Sequence, residues 1–217
     1  MRPHNRLATL LLCAFPLSVS ALDDLEPPDV DFFTTLQGTR TDVRDLGGDH
    51  SDGARLTLGT WMNELRTGNL QFALESSFNW MGESESSRSF PDTIVVDGDG
   101  QTVEVDVDET ISVDINGLSV GTRVLHDEAV YLRGGAVYYN ARLRNRQQRT
   151  REDNGEEEDF GTVTDTERAT SIAPYLGVGF EAPIGDTNIS LKVDYSFYRV
   201  ESERVGSAAI GLNYQIQ

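Results

Sequence analysis

The sequence predicts an all-β chain that folds as an eight-stranded, antiparallel, up-and-down transmembrane β-barrel. Three observations lead to this prediction: strands in which apolar and polar residues alternate, an amino-terminal export signal, and connections that alternate between short and long. Alternation with a period of two gives each strand one apolar and one polar face. In a transmembrane barrel the apolar face meets lipid and the polar face lines the lumen.

The last three strands, within residues 168–217, show the alternation most clearly. Along residues 189–198 every second residue, from Ile189 to Phe197, is apolar, and the residues between them are mostly polar. The segments 172–181 and 210–216 repeat the pattern. Five earlier strands are predicted at about 32–43, 54–62, 70–80, 110–125 and 128–144. In the fourth of these the apolar positions change from odd to even numbers near Gly117, which predicts a β-bulge there.

The predicted connections differ in length on the two sides of the barrel. Residues 63–69, 126–127 and 183–188 form short turns, whereas 44–53, 82–109 and 144–166 are long and polar, with a brief turn near Ser202. Within 82–109, the run Asp97-Gly98-Asp99-Gly100 predicts a tight hairpin. Short periplasmic turns and longer outside loops are typical of this kind of barrel.

Residues 1–21 predict a cleaved signal peptide, because a start containing Arg2 and Arg6 precedes a short apolar run and the small-residue site Val19-Ser20-Ala21. We therefore expect one domain, residues 22–217. This mature chain has no cysteine. Cleavage removes two of the 18 basic and none of the 36 acidic residues, which leaves a net charge of −20. Such acidity argues against nucleic acid as a partner.

The carboxyl-terminal run Ala209-x-Gly211-x-x-Tyr214-x-Ile216 resembles the carboxyl-terminal signal of bacterial outer-membrane barrels. The segment 174–181, followed by a short turn and a strand containing Asp194 and Tyr195, is similar to the late hairpin of OmpA-like and OmpX/Ail-like barrels. The chain ends in Gln217, where that superfamily usually ends in Phe. The resemblance implies location in the outer membrane. It also implies an assembly signal, formed by Gly211, Tyr214 and Ile216, that is read by the barrel-assembly machinery.

The predicted inner face carries charged side chains. An eight-stranded lumen is only wide enough for side chains, so these charges must pair with one another, and we expect a plugged lumen. A gate in which the pairs exchange partners is the alternative. The predicted network is Arg55, Glu75, Asp114, Arg133, Glu181, Lys192 and Asp194.

Two further groups of residues suggest contacts with the membrane. Aromatic residues near strand ends on the outer face are expected to form interface girdles, namely Phe72, Trp80, Tyr138, Phe180, Phe197 and Tyr214. Arg142, Arg144 and Arg146 belong to an arginine-rich segment beside an acidic one, which predicts either a self-neutralising loop or a contact with lipopolysaccharide phosphates. The acidic residues after Asp97 do not match the ligand spacing of a calcium loop, so we expect no metal and no cofactor.

We expect a monomeric, non-enzymatic protein with an envelope-structural or surface-interaction role. The mature chain has only two histidines, His50 and His126, and neither belongs to a His-x-Ser arrangement of the kind found in lipid A deacylases. Two alternatives stay open on the sequence: a small gated pore, and a soluble periplasmic barrel of lipocalin type that binds an apolar ligand.

Overall fold

Eight antiparallel strands close into a barrel in the order of the sequence, and the last strand pairs with the first. The computed structural model describes residues 30–95, 102–127, 129–153 and 156–216, so the predicted signal peptide and the Asp97–Gly100 hairpin lie outside the described residues. The predicted fold class is confirmed. The strands are β1 (Val30–Asp42), β2 (His50–Met62), β3 (Leu70–Val95), β4 (Thr102–His126), β5 (Val130–Asp153), β6 (Glu156–Pro183), β7 (Ile189–Val200) and β8 (Glu203–Ile216).

The apolar residues of the alternating strands face outward, as predicted. Leu36 on β1 is 64% exposed, Leu176 on β6 63% and Phe197 on β7 53%. Along β7 every even-numbered residue from Ser190 to Val200 is buried inside, whereas the odd-numbered ones are exposed. This is the inverse of a soluble barrel, in which the apolar face lies inside. The described residues contain no helix long and apolar enough to span a membrane.

Four of the strands continue far beyond the barrel on the side opposite the short turns. β3 to β6 contain 24 to 28 residues each, whereas β1, β2, β7 and β8 contain 12 to 14. Pairing reaches Val95↔Thr102 between β3 and β4, and Asp153↔Glu156 between β5 and β6. We call the part formed by residues 83–95, 102–114, 142–153 and 156–168 the protruding sheet.

The prediction of long loops at 82–109 and 144–166 was therefore wrong. Both segments are largely β-hairpins. The loops were predicted from polarity, but only the outer face of this sheet is almost entirely polar, and its inner face buries Val105 and Val107 beside Glu109. Its strands are held by the backbone ladder and by cross-strand pairs of side chains.

The predicted bulge at Gly117 was also wrong. β4 pairs with β5 without interruption, and the register shift lies on β3, between Trp80 and Glu83. Val113 and Ile115 are buried inside the barrel, while Leu118 and Val120 face outward. The side chains of β4 therefore keep their directions past Gly117. The apolar positions change from odd to even because the upper part of the lumen is lined by apolar residues and the middle part by polar ones.

Apolar side chains fill the lumen at both ends. The lower cluster, at the periplasmic end, consists of Phe33, Trp61, Ala73, Leu125 and Tyr131. The upper cluster includes Val43, Leu46, Met81, Val113, Ile115, Val137 and Tyr139. Val43 and Leu46 come from the β1–β2 connection, which contains a 3-10 turn at Arg44–Leu46. The Asp49 amide donates to the Ser84 hydroxyl at 2.7 Å and ties this connection to β3.

Candidate functional site

The charged lumen lies between the two apolar clusters. The structure places six of the seven predicted network residues inside the barrel: Arg55, Glu75, Arg133, Glu181, Lys192 and Asp194. The seventh, Asp114, is half-buried and lies on the outward side of β4, because Val113 and Ile115 occupy the inward positions. Its assignment to the lumen depended on the bulge at Gly117, which the structure does not contain.

Glu75 is the centre of the first ionic group. Its Oε2 accepts from Arg123 Nη2 at 3.0 Å, and its Oε1 lies 2.6 Å from Arg133 Nη2. The Tyr175 hydroxyl donates to the same Oε1 at 3.3 Å. One buried carboxylate is thus held by two guanidinium groups and a phenol, and it faces no unpaired negative neighbour.

Asp194 is the centre of the second group. Arg55 Nη1 donates to its Oδ1 at 2.6 Å. Gln37 Nε2 and the Tyr131 hydroxyl both donate to its Oδ2, at 2.6 and 3.0 Å. Arg55 also donates to Asn79 and to the Tyr198 hydroxyl, so its guanidinium joins β2, β3 and β7 across the lumen.

Arg123 was missed by the sequence analysis although it links the ionic centre to the lower cluster. Its guanidinium carbon lies 4.3 Å from the centroid of the Phe33 ring and 5.2 Å from that of Tyr131. Its Nη1 lies 3.5 Å from Glu181 Oε2. The alternation of β4 contained this information. Arg123 is an even number of residues from inward-facing Ser119 and an odd number from outward-facing Val120, so it faces inward. Gln37, Asn79, Tyr131 and Tyr175 are further luminal partners that were not predicted.

Lys192 is the exception among the luminal charges. Its ammonium lies 4.7 Å from the centroid of the Tyr131 ring. Within the part of the chain that the structure describes, Lys192 Nζ has no hydrogen-bond partner. Glu181, directly opposite on β6, instead accepts from Ser190 and Asn213. The described lumen therefore holds four basic side chains, Arg55, Arg123, Arg133 and Lys192, and three acidic ones, Glu75, Glu181 and Asp194.

Glycines beside the charged residues create the room for these side chains. Glu75 pairs across the sheet with Gly59 and Gly121. A Cβ at Gly59 would lie 2.1 Å from the Phe33 ring, and one at Gly121 would lie 2.4 Å from the Tyr175 hydroxyl oxygen. Any larger residue at either position would displace the side chains around Glu75.

A second set of charges lies outside, just above the apolar belt. Arg142, Arg144 and Arg146 share the outward face of β5, two, four and six residues beyond Asn140. The register places Arg142 between Asp114 on β4 and Arg168 on β6, and Asp114 opposite Glu83 on β3. A depression of about 280 Å³ is lined by Glu83, Ser112, Asp114, Arg142 and Arg144. This outer row combines guanidinium and carboxylate groups at the level where lipid head groups begin.

On the inner face of the protruding sheet, the carboxylate of Glu109 is buried. Glu109 accepts from Asn145 Nδ2 at 2.7 Å and Gln147 Nε2 at 2.9 Å, and its other oxygen pairs with Arg88. The amide donors, and then Arg88, lower the pKa of Glu109 from its ordinary value of 4.5. Ionised Glu109 thereby joins β3, β4 and β5 beyond the membrane.

The membrane-facing predictions fall on exposed outward positions. Five of the six aromatic residues are 48 to 53% exposed on the outer surface, and Phe72 is partly exposed. Of the carboxyl-terminal signal residues, Tyr214 and Ile216 face outward. Gly211 lies between Gln37 and Lys192, where a Cβ would be 1.9 Å from the Leu36 carbonyl oxygen.

A closed ring of eight antiparallel strands with an apolar outer belt and a charged interior defines the class of outer-membrane β-barrels. The sequence matches the family described as "Outer membrane protein beta-barrel domain" over residues 8–215, and the chain belongs to this family. It is therefore an outer-membrane protein, and the soluble lipocalin-like alternative is wrong.

Solved structures with the same architecture are distant in sequence. Ail of Yersinia pestis, in complex with the heparin analogue sucrose octasulfate, is 14% identical with a TM-score of 0.41, over 86% of this chain and 97% of Ail. Acinetobacter baumannii CarO is 12% identical with a TM-score of 0.42, over 83% and 96%. The amino-terminal barrel of Pseudomonas aeruginosa OprF is 11% identical with a TM-score of 0.35, over 88% and 100%. No curated protein matches the sequence.

Replacing Arg123 by Met should destabilise the barrel strongly. Among the described residues, Glu181 loses the guanidinium group that pairs with it, and Glu75 loses one of its two. Removing one partner of a buried ion pair costs about 3–5 kcal/mol, because the other charge stays buried without compensation. Urea unfolding of the refolded protein in detergent micelles measures the loss. Arg144→Met is the matched control, because Arg144 is exposed, and we expect a change within about 0.5 kcal/mol. Equal effects of the two substitutions would contradict the network.

The protruding sheet should lose stability in acid through Glu109. Because its pKa is lowered on folding, its contribution is complete above the ordinary value of 4.5 and is lost as the pH falls through the lowered value. An NMR titration of the Gln147 side-chain amide reports that midpoint. Asn145→Ala should move the midpoint upward, whereas Gln148→Ala, on the opposite face of β5, should leave it in place. A wild-type midpoint at or above 4.5 would show that the cluster does not hold the ionised form.

Proposed function

We propose that the mature chain is a monomeric, non-enzymatic outer-membrane barrel with a sealed lumen, which stabilises the envelope and presents the protruding sheet at the cell surface. One observation carries the proposal: buried ion pairs cross the lumen between two apolar clusters. A transport pathway would have to displace all three layers.

The sealing rests on packing at the ends and on electrostatics in the middle. The upper cluster includes Val43 and Leu46 from the β1–β2 connection, so this segment covers the mouth. On the other side of the mouth, the Glu201 amide donates to the Tyr139 hydroxyl at 3.1 Å. In the middle, moving one luminal charge leaves its partners unpaired in a region of low dielectric constant.

Sealing predicts that the protein does not conduct. Planar-bilayer recordings of the folded protein should show no large, stable single-channel steps. The triple variant Glu75→Ala/Arg123→Ala/Arg133→Ala empties only the middle layer of the lumen, so it should also stay closed, because the apolar clusters at both ends remain. Insertion of both proteins is verified by the faster gel mobility of the unheated form. Stable conductance of the wild type would instead support the small gated pore.

The positions of the titratable groups support a non-enzymatic role. His50 lies at the start of β2 near the cell surface, and His126 lies at the end of β4 on the periplasmic side. General acid–base catalysis requires partners within hydrogen-bond reach of one another. The luminal carboxylates of Glu75 and Asp194 are both bound to guanidinium groups and closed off by the two apolar clusters.

The outer row of arginines is suited to lipopolysaccharide. Arg142, Arg144 and Arg146 follow the girdle residue Tyr138 at every second position on the outward face of β5. Guanidinium groups bind phosphate oxygens in bidentate fashion, and lipid head-group phosphates lie just beyond the aromatic girdle.

Lipopolysaccharide should stabilise the barrel through these arginines. We expect it to raise the unfolding midpoint of the wild type, and the triple substitution of Arg142, Arg144 and Arg146 by Gln to remove most of that increase, at up to about 1 kcal/mol per exposed contact. Substitution by Lys should keep part of it, since charge remains without the bidentate geometry. Equal stabilisation by dephosphorylated lipopolysaccharide would refute a phosphate contact.

Assembly is expected to use the carboxyl-terminal strand. Tyr214 and Ile216 are exposed on the outward side of β8, and Gly211 permits close approach to β1. The barrel-assembly machinery would bind these side chains before β8 pairs with β1 and closes the barrel.

A further inference from the structure

Within the described residues, the lipid-facing belt contains an open depression with a volume of about 610 Å³. It lies over β1 to β4, in the periplasmic half of the barrel, because Phe32 pairs with both Thr60 and Ile216 close to the ends of these strands. Large apolar side chains form its rim, namely Phe32, Leu58, Leu74, Val120 and Ile216.

Small residues form the floor of the depression. Ser76 lies between Leu58 on β2 and Val120 on β4, and Thr60 lies beside Leu74. Gly59 has no side chain, and the Phe33 ring stands on its luminal side. Phe33 fills the luminal side of Gly59, whereas on the outer surface the short side chains of Thr60 and Ser76 leave the space open.

The lipid-facing surface of β6 and β7 is built mostly from large side chains. On β6 the outward residues Leu176, Val178 and Phe180 are all large and 47 to 63% exposed. The outward residues Leu191, Val193 and Tyr195 of β7 are also large. Between β1 and β4, Thr60 and Ser76 stand in place of such large side chains at the floor of the depression.

We propose that the depression binds one acyl chain of a phospholipid from the periplasmic leaflet. It is continuous with the lipid-facing belt, so its surroundings are hydrocarbon. An unfilled hollow leaves its lining without dispersion contacts, and a flexible chain restores them. The volume falls within the range of about 300–1,000 Å³ that holds small ligands. Because the rim residues Phe32 and Ile216 lie at the periplasmic end, the lipid comes from that leaflet.

Native mass spectrometry of the protein extracted from membranes in mild detergent tests the proposal. We expect the wild type to retain one phospholipid, and Ser76→Leu, which fills the floor, to lose most of it. Ala182→Leu is the matched control, because Ala182 lies near the periplasmic end of β6, away from the depression, and should retain the lipid. Thr60→Leu serves as a second filling variant if Ser76→Leu does not show the faster gel mobility of a folded barrel.

Three outcomes would overturn the proposal. The first is that the wild type retains no phospholipid, and the second is that the filling variants retain as much as the wild type. The third is a wild-type dimer that Ser76→Leu dissociates, which would make a second copy of the chain the occupant of the depression.

Discussion

The width of an eight-stranded lumen is the constraint on which the structure depends. Such a barrel has room for side chains but not for a layer of water, so each inward charge must find its partner among the other side chains. Glu75 is paired with two arginines. Asp194 is paired with one arginine and also accepts hydrogen bonds from an amide and a phenol. The adjacent glycines follow from the same demand, because a long side chain fits only where its cross-strand neighbour is absent.

The same constraint accounts for the layering of the interior. Towards the upper mouth the inward positions change from ionic to apolar, so that Val113 and Ile115 stand above the arginines. Apolar layers at both ends exclude water from the ion pairs between them, which strengthens the electrostatic interactions of the middle layer. Beyond the mouth the inward face continues with buried Val105 and Val107, and the polar cluster around Glu109 joins the strands there.

The sequence predicts the barrel itself well because lipid imposes a strict alternation wherever a strand crosses the membrane. The β6 and β7 segments were assigned to the correct faces on this basis. The same rule led to the wrong side for Asp114 and to the wrong bulge at Gly117. The rule assumes that apolar residues face outward, but in the upper lumen the apolar residues Val113 and Ile115 face inward. Of the protruding sheet, only the hairpin around Asp97–Gly100 was predicted, and its described flanks Ile94 and Val103 do pair; the rest was missed because no membrane constrains the faces of these strands. Arg123 was predictable from parity, but its cage of Phe33, Trp61 and Tyr131 depends on strands far apart in sequence.

The distribution of basic residues follows the geometry of their contacts. Seventeen of the 18 basic residues of the chain are arginines. A guanidinium group has donors in several directions and can bridge two acceptors at once, as Arg123 bridges Glu75 and Glu181 and as Arg55 bridges Asp194 and Asn79. The single lysine, Lys192, occupies the luminal position where an aromatic ring is the nearest partner. The compact amino group of a lysine fits over the face of Tyr131. A guanidinium group at this position would need hydrogen-bond acceptors, and the oxygens of Asp194 and Glu75 are already paired with other arginines.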